Sequence, residues 1–532
     1  MKKTLLPFLF LLNFNFLSAQ ELYLVKLKEK ENISNYIANP LQMLSQRSLD
    51  RRMKYKVDLD EKDVPISLER IKQVKQLDLS YIGETKWLNT IMVEVFDNTV
   101  ISQLENLPFV DSVTSLVRNA QKANFKKQSK SNDLIVIVNN YNYGDSENFI
   151  NQINLEPLHT EGFSGEGVYI GVIDAGFPGV DIIDAFKNLR NENRIVDTYD
   201  FVENKADVYD ANSHGTNVLS TMAAEIDGEY IGSAPKANYL LYRSEDFLSE
   251  TPKELLYWIQ AAERADSVGV DVINTSLSYN KFDDPRYDFT YRDMDGKTSL
   301  ISQGAEIAVT RGILVVNSAG NEGNSDWKYI SAPADVENVF TIGATDRNNQ
   351  PAPFTSYGPN YNGSLKPNIS SLGHQILTYV PSGGFRISSG TSFSSPIIAG
   401  AMALLIQKLP TTPLETIKNK VQESGSLYNN PSDRLGYGVP NFYRASQELL
   451  SINDVKAQVN KLKVYPIPFT NEVKVETNNQ IKQIEIYNLV GQKIANSSNT
   501  SIIKTNHLKS GVYLIKVIDD KGNLFTEKII KK

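Results

Sequence analysis

Cysteine is absent from this 532-residue chain. Its absence excludes disulfides, thiolate metal sites and a cysteine nucleophile. An exported form would then draw its stability from packing and from any metal ions held by oxygen ligands. Histidine is nearly as scarce: His159, His214, His374 and His507 are the four candidates for an imidazole base. Long apolar runs are missing too, since beyond the N-terminus none approaches the ~20 residues that cross a bilayer. Positive charge is thin in the middle of the chain. Residues 141–450 carry 22 Lys+Arg against 39 Asp+Glu, which argues against nucleic acid as a partner of that region.

What is present is ordinary in bulk and uneven in distribution. With 41% hydrophobic and 22% charged residues the chain can build a large core. Its length fits three or four domains of roughly 100–200 residues each. Net charge is +4 over residues 1–140, −17 over 141–450 and +6 over 451–532, and each change of sign coincides with other boundary signals. A basic N-terminal part could therefore dock on the acidic centre electrostatically. Lys2-Lys3, an apolar run over residues 5–17 and Ser18-Ala19-Gln20 predict a signal peptide over 1–19, cut after Ala19, and hence export.

Residues 20–135 read as a small α+β unit. Alternating strands are expected at 21–27, 89–95 and 110–117, with helical stretches around Arg51-Arg52, over 64–79 and over 102–107. Residues 118–132 hold five Lys/Arg and no acid, the composition of an exposed segment open to proteolysis. Residues 136–450 change character. Continuous apolar runs at 168–174, 237–242, 270–274, 312–317 and 339–343 suit strands buried on both faces, and helical patterns at 251–268 and 299–311 fall between them. That alternation predicts a doubly wound, mostly parallel sheet whose sites lie at the carboxyl ends of its strands. Residues 451–460 read as a linker. Residues 461–532, with short alternating strands and Asn/Gly turns, read as a small all-β sandwich.

Four segments carry the candidate chemistry. Gly390-Thr391-Ser392-Phe393-Ser394-Ser395-Pro396 precedes a long apolar helix and reads either as a helix cap or as a serine placed among helix N-terminal N–H groups. Ser394 and Pro396 suit the start of that helix. His214 opens a helix after a polar loop, as a surface residue or a base. Asp174 ends the first central strand before Ala175-Gly176, as a turn residue or as the acid that orients a base. Asn321, in Ala319-Gly320-Asn321-Glu322-Gly323, is a turn residue or a side-chain donor to an oxyanion.

Taken in the order Asp, His, Asn, Ser, these segments resemble the subtilisin-like serine proteases over roughly residues 135–450. The family's signatures are Asp-Ser/Thr-Gly, His-Gly-Thr, Ala-Gly-Asn-x-Gly and Gly-Thr-Ser-x-x-x-Pro. The resemblance implies Ser392 as nucleophile, His214 as general base and Asp174 as its orienting acid. It implies an oxyanion hole from Asn321 and the Ser392 N–H. Ser276, Leu277 and Ser278 would pair with extended substrate, and Ser318, Ala319 and Gly320 would wall the pocket for the residue before the cut. Three positions depart from the family: Ala175 for Ser/Thr, Phe393 for Met, and Ser278 for Gly, the last bearing on pocket size.

The flanks fit the same picture. The N-terminal unit resembles the family's pro-regions, which implies a folding template and a transient inhibitor of its own peptidase. Val464-Tyr465-Pro466-Ile467-Pro468, Gly511-Val512-Tyr513 and the lysine-rich end resemble sorting domains of the type IX secretion system, with a carbohydrate- or protein-binding β-module as the other reading. Together these imply a secreted or surface-held serine endopeptidase made as a zymogen and acting on protein or peptide substrates. The competing class is a catalytically inactive binding or adhesion protein on the same scaffold. No cofactor is required. Asp283, Asp284, Asp288, Asp293 and Asp295 crowd one loop where a structural calcium could bind, and no metal ligand is assigned.

Overall fold

A computed structural model describes residues 20–118, 143–459, 462–477, 479–488, 491–522 and 524–532. The expected signal peptide, most of the basic 118–132 stretch and the 135/136 boundary lie outside the described residues. The chain divides into two compact units, Met1–Ala445 and Ser446–Lys532.

The first unit begins with four antiparallel strands: β1 (Glu21–Leu27), β2 (Ser80–Thr85), β3 (Thr90–Val95) and β4 (Val110–Ser115), in the order β2-β3-β1-β4. Helices Gln46–Tyr55, Leu68–Lys75 and Thr99–Glu105 accompany them. The two-residue period of β1 sends its side chains into two different cores. Tyr23, Val25 and Leu27 join Val74, Ile91, Val93 and Leu104 in a core of the subdomain's own. Leu22, with Trp87 and Met92, instead packs into the core of the large sheet described next.

That sheet has seven parallel strands in the order β13-β12-β11-β10-β5-β9-β6. They are β5 (Tyr169–Asp174), β6 (Ile195–Asp200), β9 (Asn238–Arg243), β10 (Val272–Thr275), β11 (Leu314–Ser318), β12 (Phe340–Thr345) and β13 (Ile369–Leu372), with a short hairpin of β7 (Glu225–Ile226) and β8 (Tyr230–Ile231) between β6 and β9. Five of the seven are the apolar runs expected from the sequence. The two missed are the edges, where one open side relaxes the need for a continuous apolar run. Helices Lys253–Val268 and Leu300–Thr310 share a core with Ile173, Tyr242, Ile273 and Val315. Helix Thr391–Lys408 is buried on every side from Thr391 to Ile406, as a helix apolar all round must be. It packs on β5, β10, β11, β12 and β13 and on helix His214–Ala223. Hairpin β14 (Ile376–Tyr379) and β15 (Phe385–Ser388) leads into it.

The second unit carries a three-stranded and a four-stranded antiparallel sheet. The first holds β16 (Lys463–Tyr465), β17 (Glu472–Glu476) and β20 (Ile502–Lys504). The second holds β18 (Ile481–Tyr487), β19 (Lys493–Ser498), β21 (Gly511–Asp519) and β22 (Leu524–Lys531). Phe469, Val473, Ile484, Ile503, Ile515 and Ile529 from both sheets form one core, the expected sandwich. Helix Phe442–Val459 runs through nearly all of the expected linker over 451–460, and residues 442–462 contain neither Gly nor Pro to stop a helix. Among the described residues no helix is long and apolar enough to cross a membrane.

Candidate active site

Asp174 closes β5 and is fully buried; its Oδ1 accepts hydrogen bonds from the Ala175 N–H at 2.8 Å and lies 2.7 Å from His214 Nδ1. That pairing fixes a proton on Nδ1 and leaves Nε2 as the basic nitrogen. Helix His214–Ala223 can come this close because Gly215 follows the histidine: a Cβ there would stand 2.4 Å from Gly176 O and 3.1 Å from Asp174 Cβ. Asp174 Oδ2 is buried without a hydrogen bond among the described residues. Burial pushes the His214 imidazole down, but the charge and hydrogen bond of Asp174, aided by Glu245, outweigh it. The group ends above the ordinary histidine value. About a third of the His214 side chain remains exposed, which keeps it accessible from solvent. Phe393 covers part of the ring, the two centroids 5.9 Å apart.

The Ser392 helix starts earlier than Ser394 and Pro396 suggested. It begins at Thr391, capped by Gly390, so Ser392 is the second helical residue and its N–H belongs to the orphaned first turn. That N–H has no partner among the described residues. Pro396, four residues on, has no N–H to return to Ser392 O, and Ser276 Oγ supplies the missing donor at 2.8 Å. In turn Ser392 Oγ donates to Ser276 O at 3.2 Å. The serine hydroxyl therefore rests against the residue that follows β10.

Asn321 sits on the loop after β11. Its Oδ1 accepts from Thr391 N at 2.9 Å and Thr391 Oγ1 at 3.0 Å, and this assignment of the amide leaves its NH2 without an acceptor among the described residues. The nitrogen lies 3.6 Å from where a Gly390 Cβ would stand, at the mouth of the helix. Ser276, Leu277 and Ser278 leave β10 without a strand partner among the described residues. Ser318 and Ala319 are buried at the end of β11. Gly320 lies close to Ser278: a Cβ on Gly320 would stand 3.7 Å from Ser278 Oγ and 2.9 Å from Ser356 Oγ. The residues assigned to the triad, the oxyanion hole and the substrate walls thus lie at or beside the carboxyl ends of β5, β10 and β11. The sequence did not single out Thr391 and Pro396 as supports, nor Glu245; each acts through a partner distant in the chain.

The N-terminal subdomain is seated on the helices behind this edge. Arg52 holds Asp63 at 2.6 and 3.1 Å and Asp266 at 2.6 Å, while Arg51 also pairs with Asp266, both guanidinium groups being only 2% exposed. Glu263 accepts from Thr85 Oγ1 at 2.5 Å and Trp87 N at 2.9 Å. The expected attraction of a basic subdomain to an acidic centre accounts for Arg47–Asp271 and Arg118–Asp293, but Glu21–Arg286, Asp60–Arg311 and Glu94–Lys253 run the other way. In the acidic loop, Asp284 and Asp288 are engaged by Arg286 and Lys281, Asp283 accepts from Glu250 N, and Asp293 and Asp295 cap local turns. Among the described residues no group of three or more His, Cys, Asp or Glu could hold a metal ion.

Three family models match the chain: the subtilase family over residues 165–438, the Bacteroidota propeptide domain of the S8 peptidases over 22–133, and a secretion system C-terminal sorting domain over 463–532. Subtilisin E of Bacillus subtilis (strain 168) is 31% identical over 301 residues, covering 56% of this chain and 70% of the relative. The thermostable alkaline protease of Halalkalibacterium halodurans is 27% identical over 362 residues, covering 66% of this chain and 87% of the relative. Among solved structures, the epidermin leader peptide processing serine protease of Staphylococcus aureus shares the fold, with a TM-score of 0.55 at 20% identity over 80% of this chain and 98% of that one. The protein is a serine endopeptidase made with a propeptide domain and carrying a sorting domain for export to the surface or beyond. With the Asp174–His214 pair, Ser392 and Asn321 gathered at one sheet edge, and a family match over just over half of its length, the chain belongs to the subtilase family.

Proposed function

We propose that Ser392, His214 and Asp174 hydrolyse peptide bonds through an acyl-enzyme. Nε2 of His214 takes the Ser392 Oγ proton as Oγ attacks the scissile carbonyl carbon, and Asp174 stabilises the imidazolium through Nδ1–H. The carbonyl oxygen, now an oxyanion, receives the Asn321 Nδ2 and Ser392 N–H donors. His214 passes its proton to the leaving amine, the C–N bond breaks, and water repeats the sequence to free the acid and restore Ser392. Ser276–Ser278 take the extended substrate, and Ser318–Gly320 wall the pocket for the residue before the cut. The N-terminal subdomain inhibits this site until it is cut and released, and the C-terminal sandwich addresses the protein to the type IX secretion machinery. The observation that carries the reading is the 2.7 Å His214–Asp174 hydrogen bond at the edge where the helical N–H of Ser392 has no partner among the described residues. The test is hydrolysis of a peptide mixture by the secreted protein and by its Ser392→Ala and His214→Ala variants, with sequencing of the secreted N-termini. Cleavage by the wild type alone is expected. Equal cleavage by either variant, or a fully active form that still begins at Gln20, would refute it.

A further inference from the structure

One carboxyl group beside the His214–Asp174 pair has no task in the reaction above. β9 runs alongside β5 with Arg243 level with Asp174, and Ser244 N donates to Asp174 O at 3.0 Å. Glu245 therefore emerges next to the orienting acid. Its Oε1 accepts from Ser244 Oγ at 3.1 Å and from the hydroxyl of Tyr279. Tyr279 arrives from the opposite side of β5. It follows Ser278 beyond the end of β10, and its backbone exchanges hydrogen bonds with Ala332 at 2.9 and 3.2 Å. The Glu245–Tyr279 bridge thus crosses the end of β5. Ser276 O touches Ser392 Oγ, which sets Ser276 level with the residue before the cut. Paired extended chains advance residue for residue. Glu245 and Tyr279 then stand level with the second to fourth residues on the acyl side.

This carboxyl group lacks a counter-charge. Arg243 gives its Nε to the Glu245 backbone carbonyl at 3.1 Å and its Nη1 to Asp200 at 2.8 Å and Glu203 at 3.1 Å. No Lys or Arg pairs with the Glu245 carboxyl among the described residues. Burial, with the negative charge of Glu250 and Asp174, pushes it up to about 8 against the hydrogen bonds of Tyr279 and Ser244. A cation brought within reach would reverse that imbalance.

We propose that Glu245 forms a substrate subsite for a lysine or arginine side chain two to four residues before the scissile bond, with Tyr279 holding the carboxylate in place. The proposal rests on the peptidase reading above. It is tested on the secreted, processed enzyme with peptides that share one residue before the cut and carry Lys, Arg, Gln or norleucine at each of the three positions preceding it. At one of those positions kcat/KM for Lys or Arg should exceed that for norleucine by about tenfold or more, the scale of one charge-assisted contact. In Glu245→Gln that ratio should fall to within about twofold, and in Tyr279→Phe it should fall part of the way. Equal rates for all four residues in the wild type would overturn the subsite, even if Glu245→Gln failed to fold. So would a ratio that survives Glu245→Gln. Cleavage of the norleucine peptide without cation preference removes the subsite alone, whereas no cleavage of any peptide removes the peptidase reading with it.

Discussion

Ser276→Ala should destabilise the protein, and adding Pro396→Ala should restore it. Pro396 stands four residues after Ser392 inside helix Thr391–Lys408 and cannot make the helical hydrogen bond to Ser392 O, so the 2.8 Å bond from Ser276 Oγ takes its place. Both serines are buried, and Ser276 is held from behind by Asn274 Nδ2 at 3.3 Å, with Ser395 Oγ bonded to Asn274 Oδ1 at 3.0 Å. Removing the Ser276 hydroxyl strands a buried carbonyl, at a cost of about 1–3 kcal/mol. At roughly 2–4 °C per kcal/mol for a domain of this size, the thermal midpoint should drop by about 2–12 °C. Alanine at 396 brings back an N–H, and in the double variant this N–H can satisfy the same carbonyl. The cycle cancels any separate gain from replacing proline within a helix and leaves a coupling of about 1–2 kcal/mol. Calorimetry in a Ser392→Ala background, which suppresses self-digestion and keeps the carbonyl, reads all four midpoints. A double variant that melts no higher than the two single changes add up to would refute the reasoning.

Three further outcomes follow from the geometry. Catalysis needs neutral His214, and its pKa is raised, so kcat/KM should fall on the acid side with a midpoint above the ordinary histidine value near 6.5. In Asp174→Asn, burial, the largest influence, would be opposed by Glu245 alone, so the midpoint should move below that value and the rate should drop by about 10⁴-fold; maximal activity near pH 4 would contradict the assignment of His214 as base. Asn321→Ala should lower kcat by about 10²–10³-fold with little change in KM, measured on a single peptide, and a loss confined to KM would assign Asn321 to binding. Arg51→Met removes one of the two arginine partners of fully buried Asp266, Arg52 remaining, and should weaken seating of the N-terminal subdomain by about 1.5–3 kcal/mol, seen as a shorter lag before activity appears; an unchanged lag would place that ion pair outside the release step.

The site was legible because four short, local motifs occur together in the order Asp174, His214, Asn321, Ser392; singly, each could also be read as a cap, surface or turn residue. The central strands were legible for a related reason: a parallel strand buried on both faces must be apolar throughout, as β5 and β11 are. What could not be read depends on pairs far apart in sequence. Pro396 looked like a helix start and instead frees a carbonyl for Ser276, 120 residues earlier. Glu245 and Tyr279 look unremarkable until β9 and β10 bring them to either side of β5. β1 reads as a simple alternating strand, yet Leu22 on its second face is buried and Leu24 half-buried, in a core shared with a helix more than 200 residues away. Edge strands β6 and β13 carry too few apolar residues to stand out, and the polar helix Phe442–Val459 resembles a linker in composition.

The claim that Ser392 is an activated nucleophile is tested most directly by labelling. The processed wild type, treated with a fluorophosphonate and digested for mass analysis, should carry one adduct, on Ser392, formed quickly at pH 8 and slowly once His214 is protonated. His214→Ala should lose the fast reaction and Ser392→Ala the adduct altogether. A processed wild type that takes no label, or a label that persists in Ser392→Ala, would contradict catalysis by this serine.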